Sequence, residues 1–190
     1  MAVLDWISPE SAFAVDGERV RLRPPRMGDF GTWLELRRAS RAFLQPWEPT
    51  WPADDLTRAA FRRRLSVYAR DLDLGLGYAF FVFRKSDDRL VGGVNLRDVR
   101  RGVAQSGALG YWVGAPYARQ GYTLDAVRTV AGFAFHRLGL HRLEAACLPE
   151  NTASHRLLLK AGFDEEGRAR GYLRIDGRWC DHLLFGMVNG

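Results

Sequence analysis

The chain has 190 residues, 47% of them apolar and 26% charged, with a formal net charge of +6. That size and balance predict one folding unit with a substantial core and exclude a disordered or membrane-embedded protein. No apolar run approaches the roughly 20 residues of a membrane span, and the two distant cysteines, Cys147 and Cys180, exclude a disulfide scaffold or a zinc site.

Residues 1–18 contain no Lys or Arg, so they lack the charged start of a secretory signal, and a cytoplasmic location is expected. They carry little periodic signal and read as a leader ahead of a domain spanning 19–188. Val20 and Leu22 alternate with arginines in RVRLR, a half-buried strand stopped by Pro24 and Pro25. Asp29 stands where it would cap a helix with Phe30, Trp33, Leu34 and Arg37 on one face. FLQPWEPTWP, from Phe43 to Pro52, is broken by three prolines and reads as an irregular aromatic loop. A second helix opens at Asp54 or Asp55 and runs to about Arg70, with Leu56, Ala59, Ala60, Leu65 and Tyr68 as its buried stripe.

From Tyr78 the pattern changes to strands. YAFFVFR, a turn at Asp87 and Asp88, LVGGVNLRDV, a turn near Gly102 and ALGYWVG at 108–114 predict an antiparallel meander. Leu124, Val127, Val130, Ala131, Ala134 and Leu138 then recur at helix spacing up to Gly139. A short strand, RLEAACL, precedes a helix opened by Asn151 and ended by Gly162. Strands at about 166–175 and 180–187 follow, joined by a tight turn at Asp176 and Gly177. This mixed order predicts one α+β sheet domain.

Lysine occurs only at Lys85 and Lys160, so the basic charge is arginine. That reads as composition bias, the Arg62–Arg64 and Arg100–Arg101 runs as solvated faces, and a nucleic-acid partner is not expected. The turn APYARQGYT leads from strand to helix, where unpaired N–H groups and the positive dipole end suit a pyrophosphate and Gly121 permits close approach. Read alone, the segment favours an ordinary turn. Asn151 likewise reads as a helix cap, with Ser154 a small polar residue three positions on. His155 and His182 belong to no recognisable dyad, and Cys147, in an apolar strand, reads as core.

The pattern NxxSxxLLxKxGF, from Asn151 to Phe163, resembles the matching helix and turn of the GNAT-superfamily N-acetyltransferases. The likeness is to the RimJ/RimL branch acting on protein N-termini, and closest to the RimJ type. FLQPWEP, GVNLRDV, LGYWVG and EEGRARGYLRIDGRWCDHLLF extend it over about residues 19–188. It implies the GNAT fold, a mixed, mostly antiparallel sheet of about seven strands with four main helices. The sheet is expected to splay between the strand ending at Val113 and the strand ending at Leu148, where the pantetheine arm inserts. Acetyl-CoA is the implied cosubstrate, with no metal, and the implied reaction is direct acetyl transfer to the N-terminal α-amine of a protein, a ribosomal protein being the leading candidate. Small amines such as aminoglycosides or polyamines are the alternative acceptors, and a non-catalytic CoA sensor is the alternative function. A monomer or homodimer is expected.

The resemblance assigns Tyr111, Trp112, Val113, Arg119, Gln120, Gly121, Tyr122, Thr123, Asn151 and Ser154 to acetyl-CoA. The family's pyrophosphate pattern (Q/R)xxGx(G/A) is matched in part: Gly121 takes the central glycine, whereas Ala118 and Thr123 depart from it and Arg119 offers charge beside the missing position. A backbone N–H freed by a bulge near Tyr111 to Val113 is expected to polarise the thioester carbonyl. Ser154 is expected to serve the departing thiolate, and Asn151 to hold the CoA arm or a water. Trp47, Glu48 and Asn95 are assigned to the acceptor side. Glu48 is the candidate carboxylate for the ammonium, because the strand before the bulge offers only Ala108, Leu109 and Gly110, and Leu173 stands where RimL-type proteins can carry Glu. The catalytic candidates are therefore Ser154, Asn151 and Glu48.

Overall fold

The computed structural model describes residues 13–190. Its elements are β1 (Val15–Asp16), β2 (Val20–Arg23), α1 (Phe30–Ala39), α2 (Arg41–Leu44), α3 (Arg58–Asp73), β3 (Tyr78–Arg84), β4 (Arg89–Arg100) and β5 (Ser106–Val113). There follow α4 (Tyr122–Gly132), extended by a π turn at Phe133–Arg137, then β6 (Arg142–Cys147), α5 (Thr152–Ala161), β7 (Asp164–Ile175) and β8 (Arg178–Val188). The strands form a single eight-stranded sheet in the order β1-β2-β3-β4-β5-β6-β8-β7. All its described pairings are antiparallel except β5 with β6, which the helix α4 connects.

Helices cover both faces of β3, which is why YAFFVFR is buried almost throughout instead of alternating. Phe80 and Val82 face α4 and pack with Val20, Leu22, Val94, Leu96, Val127 and Val130. Phe81 and Phe83 face the other way, against Trp33, Leu36 and Phe61 from α1 and α3. The same period of two sends Tyr111 of β5 to the α4 face and Trp112 to the α1/α3 face. Those two directions separate the two sides of the site.

Several local expectations are corrected. Of the expected leader, residues 1–12 lie outside the described residues, while Val15 and Asp16 pair with Leu22 and Arg21 and supply the strand beyond the seven expected. Asp29 sits before α1 without capping it, because its carboxylate takes both terminal nitrogens of Arg23 and the Arg26 N–H. The first part of the aromatic loop is wound into α2 and a 3-10 turn at Gln45–Trp47, where Pro46 costs nothing because no N–H is needed in a first turn. Thr57, rather than Asp54 or Asp55, caps α3, its hydroxyl accepting the Ala60 N–H at 3.1 Å. The two aspartates pair with Arg63 and Arg64, and the buried residue of α3 is Phe61, Ala59 being exposed. No helix among the described residues is long and apolar enough to cross a membrane.

Candidate active site

The pairing of β5 with β6 runs only from Ser106↔Arg142 to Leu109↔Ala145, although β5 continues to Val113 and β6 to Cys147. Past that point the two strands part. Gly114 donates its N–H to the Val91 carbonyl (2.8 Å), whereas the Gln105 carbonyl accepts from His141 and Arg142 on the β6 side. Alternation between these positions turns the backbone N–H groups of Tyr111 and Val113 into the opening. The expected bulge at 111–113 is corrected, because β5 pairs with β4 without interruption from Leu109↔Leu96 to Val113↔Gly92. The divergence of β6, not a bulge, leaves those donors free.

The chain then passes through Ala115–Tyr117, a single 3-10 turn, into α4. Gly114 has no room for a side chain, since a Cβ would come within 2.3 Å of Leu36, and Ser40 accepts the Ala115 N–H at 2.9 Å. These contacts hold the turn against α1. Arg119 (φ 61°) and Gly121 (φ 86°) both take left-handed backbone, which curls the loop before the helix. The first N–H groups of α4 have no intrahelical acceptor, and Gly121, its N-cap, brings no side chain to them. Asp125 does not compete for an anion there, because its carboxylate turns to the N–H groups of Glu18, Arg19 and Val20. This makes an anion cradle of backbone donors.

The side chains around the cradle divide in their uses. Arg119 is exposed and pairs with no carboxylate among the described residues. Gln120 spends its amide on the Pro116 carbonyl (2.8 Å), and its own carbonyl accepts from Arg19. Tyr122 is buried beneath the Arg19 guanidinium (4.7 Å to the ring), so its backbone alone faces the cradle, and Thr123 is half-buried.

Across the opening, the Asn151 side-chain oxygen accepts the Ser154 N–H at 3.0 Å and caps α5. The Ser154 hydroxyl meets the Tyr111 hydroxyl at 2.6 Å. Burial pushes the Tyr111 phenol well above its ordinary range, the Ser154 bond working against the shift and the nearby Cys147 with it. The Cys147 thiol is pushed up to about 11 by burial, a hydrogen bond with Ser154 opposing the rise and Glu165 adding to it. At neutral pH this cluster holds protons and acts as a donor set. The side-chain role of Tyr111 was not legible in the sequence, where the residue stands in a strand pattern 43 positions from its partner. His155 does have a carboxylate partner, Glu165 at 2.8 Å, contrary to expectation, while the His182 ring sits 3.0 Å from the Cys180 carbonyl.

On the other face, Glu48 is not a free carboxylate. Its two oxygens accept both terminal nitrogens of Arg37 (2.8 and 2.7 Å), and one also accepts the Trp51 indole N–H (2.7 Å). A carboxylate held this way serves as an anchor between α1 and the loop. Arg37 is buried, with its guanidinium over the Trp51 ring at 4.1 Å and 5.0 Å from the Trp112 ring. The sequence signal was an arginine on the apolar face of a helix, which requires a buried acid. The Glu48 carbonyl accepts the Asp176 N–H at 3.0 Å, tying the loop to the β7–β8 turn.

Two hollows flank this strap. A cleft of about 720 Å³ includes Trp47, Leu148, Pro149, Glu150, Arg168 and Trp179 in its walls, so it starts beside the parted end of β6. A smaller cavity of about 160 Å³ includes Glu48, Asn95 and Trp112 with Arg37, Arg64 and Tyr68. Trp47 and Glu48, expected in one subsite, thus face two.

Residues 19–164 match the family model described as Acetyltransferase (GNAT) domain. The chain belongs to the GNAT acetyltransferase family. As a GNAT member it is an acetyl-CoA-dependent N-acetyltransferase, and its splay, free N–H groups and cradle fit that cosubstrate. It is 36% identical over 173 residues to "Probable N-acetyltransferase YjcK" of Bacillus subtilis, covering 91% of this chain and 96% of that protein. The [Ribosomal protein uS5]-alanine N-acetyltransferase of Escherichia coli is 31% identical over 145 residues, covering 76% and 75%. The solved RimJ of Mycobacterium smegmatis, in complex with CoA-disulfide, superimposes with a TM-score of 0.87 at 32% identity, covering 92% of this chain and 87% of that one. The GNAT relatives thus include the RimJ/RimL ribosomal-protein acetyltransferases.

Proposed function

We propose that the protein transfers acetyl from acetyl-CoA to the N-terminal α-amine of a protein, of the ribosomal class named for its relatives, by direct attack in a ternary complex. The observation that carries this reading is the position of the large cleft. It begins at Leu148–Glu150, just ahead of the Asn151 cap and Ser154, and runs out between the aromatic loop and the β7–β8 hairpin. That path suits an extended chain end. Trp47 and Trp179 give it apolar walls; Arg168 holds Asp181, and Glu150 and Asp176, in no ion pair among the described residues, offer carboxylates to an incoming ammonium.

The donor, when bound, supplies a thioester already reactive toward a neutral amine. The α4 N-terminus and Arg119 hold its phosphates, and the N–H groups of Tyr111 and Val113 face the carbonyl oxygen as negative charge develops on it. Ser154 donates its hydroxyl proton toward the leaving sulfur and Tyr111 restores it through the 2.6 Å contact, while the attacking nitrogen releases its proton to water, from which the phenol regains its own. A protonated Cys147 takes no part as a nucleophile. An α-amine has a pKa near 8, so an appreciable fraction is neutral at physiological pH without a dedicated strong base.

The test offers the purified protein acetyl-CoA with N-terminal peptides, N-blocked lysine peptides and small amines, and follows free thiol release. Turnover confined to free N-termini is expected. Turnover of small amines alone, or CoA binding without turnover of any acceptor, overturns the reading.

A further inference from the structure

We infer that the small cavity under the aromatic loop is a carboxylate-recognition subsite, which selects acceptors carrying an acidic side chain within their first two residues. The inference rests on the proposed N-terminal acetylation. Its starting point is charge. Arg37 and Arg64 border the cavity, and each already has one acid: Arg37 holds Glu48, and Arg64 holds Asp55 at 2.6 Å. Arg97 adds a third cation. It lies two residues along β4 from Asn95, on the same face of the strand, and pairs with no carboxylate among the described residues. Its guanidinium rests beside Gly110, where a Cβ would come within 3.4 Å of it, and it stands close enough to Tyr68 to act on that hydroxyl. Three guanidiniums against two acids leave one positive charge, on the exposed Arg97, outside the cavity's lining but beside Tyr68 in its wall.

Hydrogen bonding points the same way. The Arg37 Nε–H is buried and finds no acceptor among the described residues, although the side chain is only 9% exposed. That nitrogen is enclosed by protein, so the polar groups that an entering oxygen meets in the cavity are those of Tyr68 and Asn95. Tyr68 and Asn95 stand in the same wall as Arg64.

Size and place complete the case. About 160 Å³ admits a carboxylate with its methylenes, roughly five waters' worth at about 30 Å³ each. The cavity touches Trp112, which lies between the two residues whose N–H groups face the thioester. A side chain reaching it must therefore come from the start of the acceptor, since each extended residue advances about 3.3 Å.

The experiment compares free N-terminal peptides that differ only in Glu, Gln, Leu or Lys at position 2, by kcat/KM and by calorimetric binding to the CoA-bound protein. The Glu peptide is expected to exceed the Gln peptide about tenfold in both, and the Lys peptide to be the poorest. In Arg97→Gln the Glu-to-Gln ratio falls toward one, whereas Arg97→Lys keeps part of it, with thermal melting confirming that both variants fold. Equal turnover and equal binding of the four peptides overturns the subsite and leaves N-terminal acetylation standing. Turnover of none defeats the proposed function, and the binding ratio then decides the subsite alone, equal affinities counting against it.

Discussion

Tyr111 and Ser154 place their hydroxyl oxygens 2.6 Å apart, joining the free end of β5 to the first turn of α5. The bond spans the opening where β5 and β6 part, so it links the strand that carries the free N–H groups to the helix end proposed to meet the departing sulfur. A phenol kept protonated by burial and a hydroxyl at that spacing form a two-step proton donor.

Removing either hydroxyl should therefore slow chemistry more than binding. Ser154→Ala is expected to lower kcat by about 10- to 100-fold while the KM for acetyl-CoA changes less than about threefold. Tyr111→Phe should cost about tenfold, and the double variant little more than Ser154→Ala, because the two act in one path. Steady-state thiol release measures all three, and an unchanged kcat in Ser154→Ala removes the relay.

Glu48→Gln tests the strap between α1 and the aromatic loop. A largely buried Arg37 would lose its charge partner, so a loss of about 2–4 kcal/mol in urea unfolding is expected, with a raised KM for the acceptor. The pH dependence of kcat/KM should keep its midpoint, set by the acceptor amine. A midpoint displaced in this variant would return Glu48 to the role of base.

How far the sequence reached differs between the two sides of the site. The meander, the α4 stripe and the Asn151–Gly162 helix follow from periods and caps, which are local signals, and the structure reproduces them. The turn and helix start at Gly121 were legible for the same reason, being contiguous in the chain, whereas their assignment to phosphates came from the family resemblance and not from local signals. The Arg37–Glu48–Trp51 strap and the Tyr111–Ser154 contact were not, because each joins residues whose neighbourhood is fixed only by tertiary packing. Asp54 and Asp55 show the limit from the other side. They fit a cap by type, yet Thr57 caps α3 and arginines one helical face away claim both acids.

Cys147 gives an alkaline signature. The unfolded chain releases a thiol proton from about pH 9, whereas the folded chain retains it to about 11. The folded state therefore binds more protons in that window, so this group's contribution is intact below pH 9 and is lost as pH rises. Urea unfolding at pH 8 to 11 should show a shallower decline for Cys147→Ala than for the parent. At pH 7.5 iodoacetamide should label the partly exposed Cys180 well before Cys147, as read by peptide mass spectrometry.

The cradle should respond at two kinds of position. Arg119→Ala is expected to weaken CoA binding by up to about fivefold, the range of an exposed charge contact, and more at low salt than at high. Gly121→Val forces a branched side chain into φ 86° at the helix start, and should weaken CoA binding further and cost more than about 1 kcal/mol of stability. Calorimetric titration with CoA distinguishes the two, and equal affinity of all three proteins would move the phosphates elsewhere.

The central claim concerns where the acetyl group lands. The protein is incubated with acetyl-CoA and one peptide bearing both a free N-terminus and an internal lysine, and tandem mass spectrometry locates the added acetyl group. Acetylation of the α-amine alone is the result predicted here. Acetylation of the lysine ε-amine, with the N-terminus untouched, would contradict it.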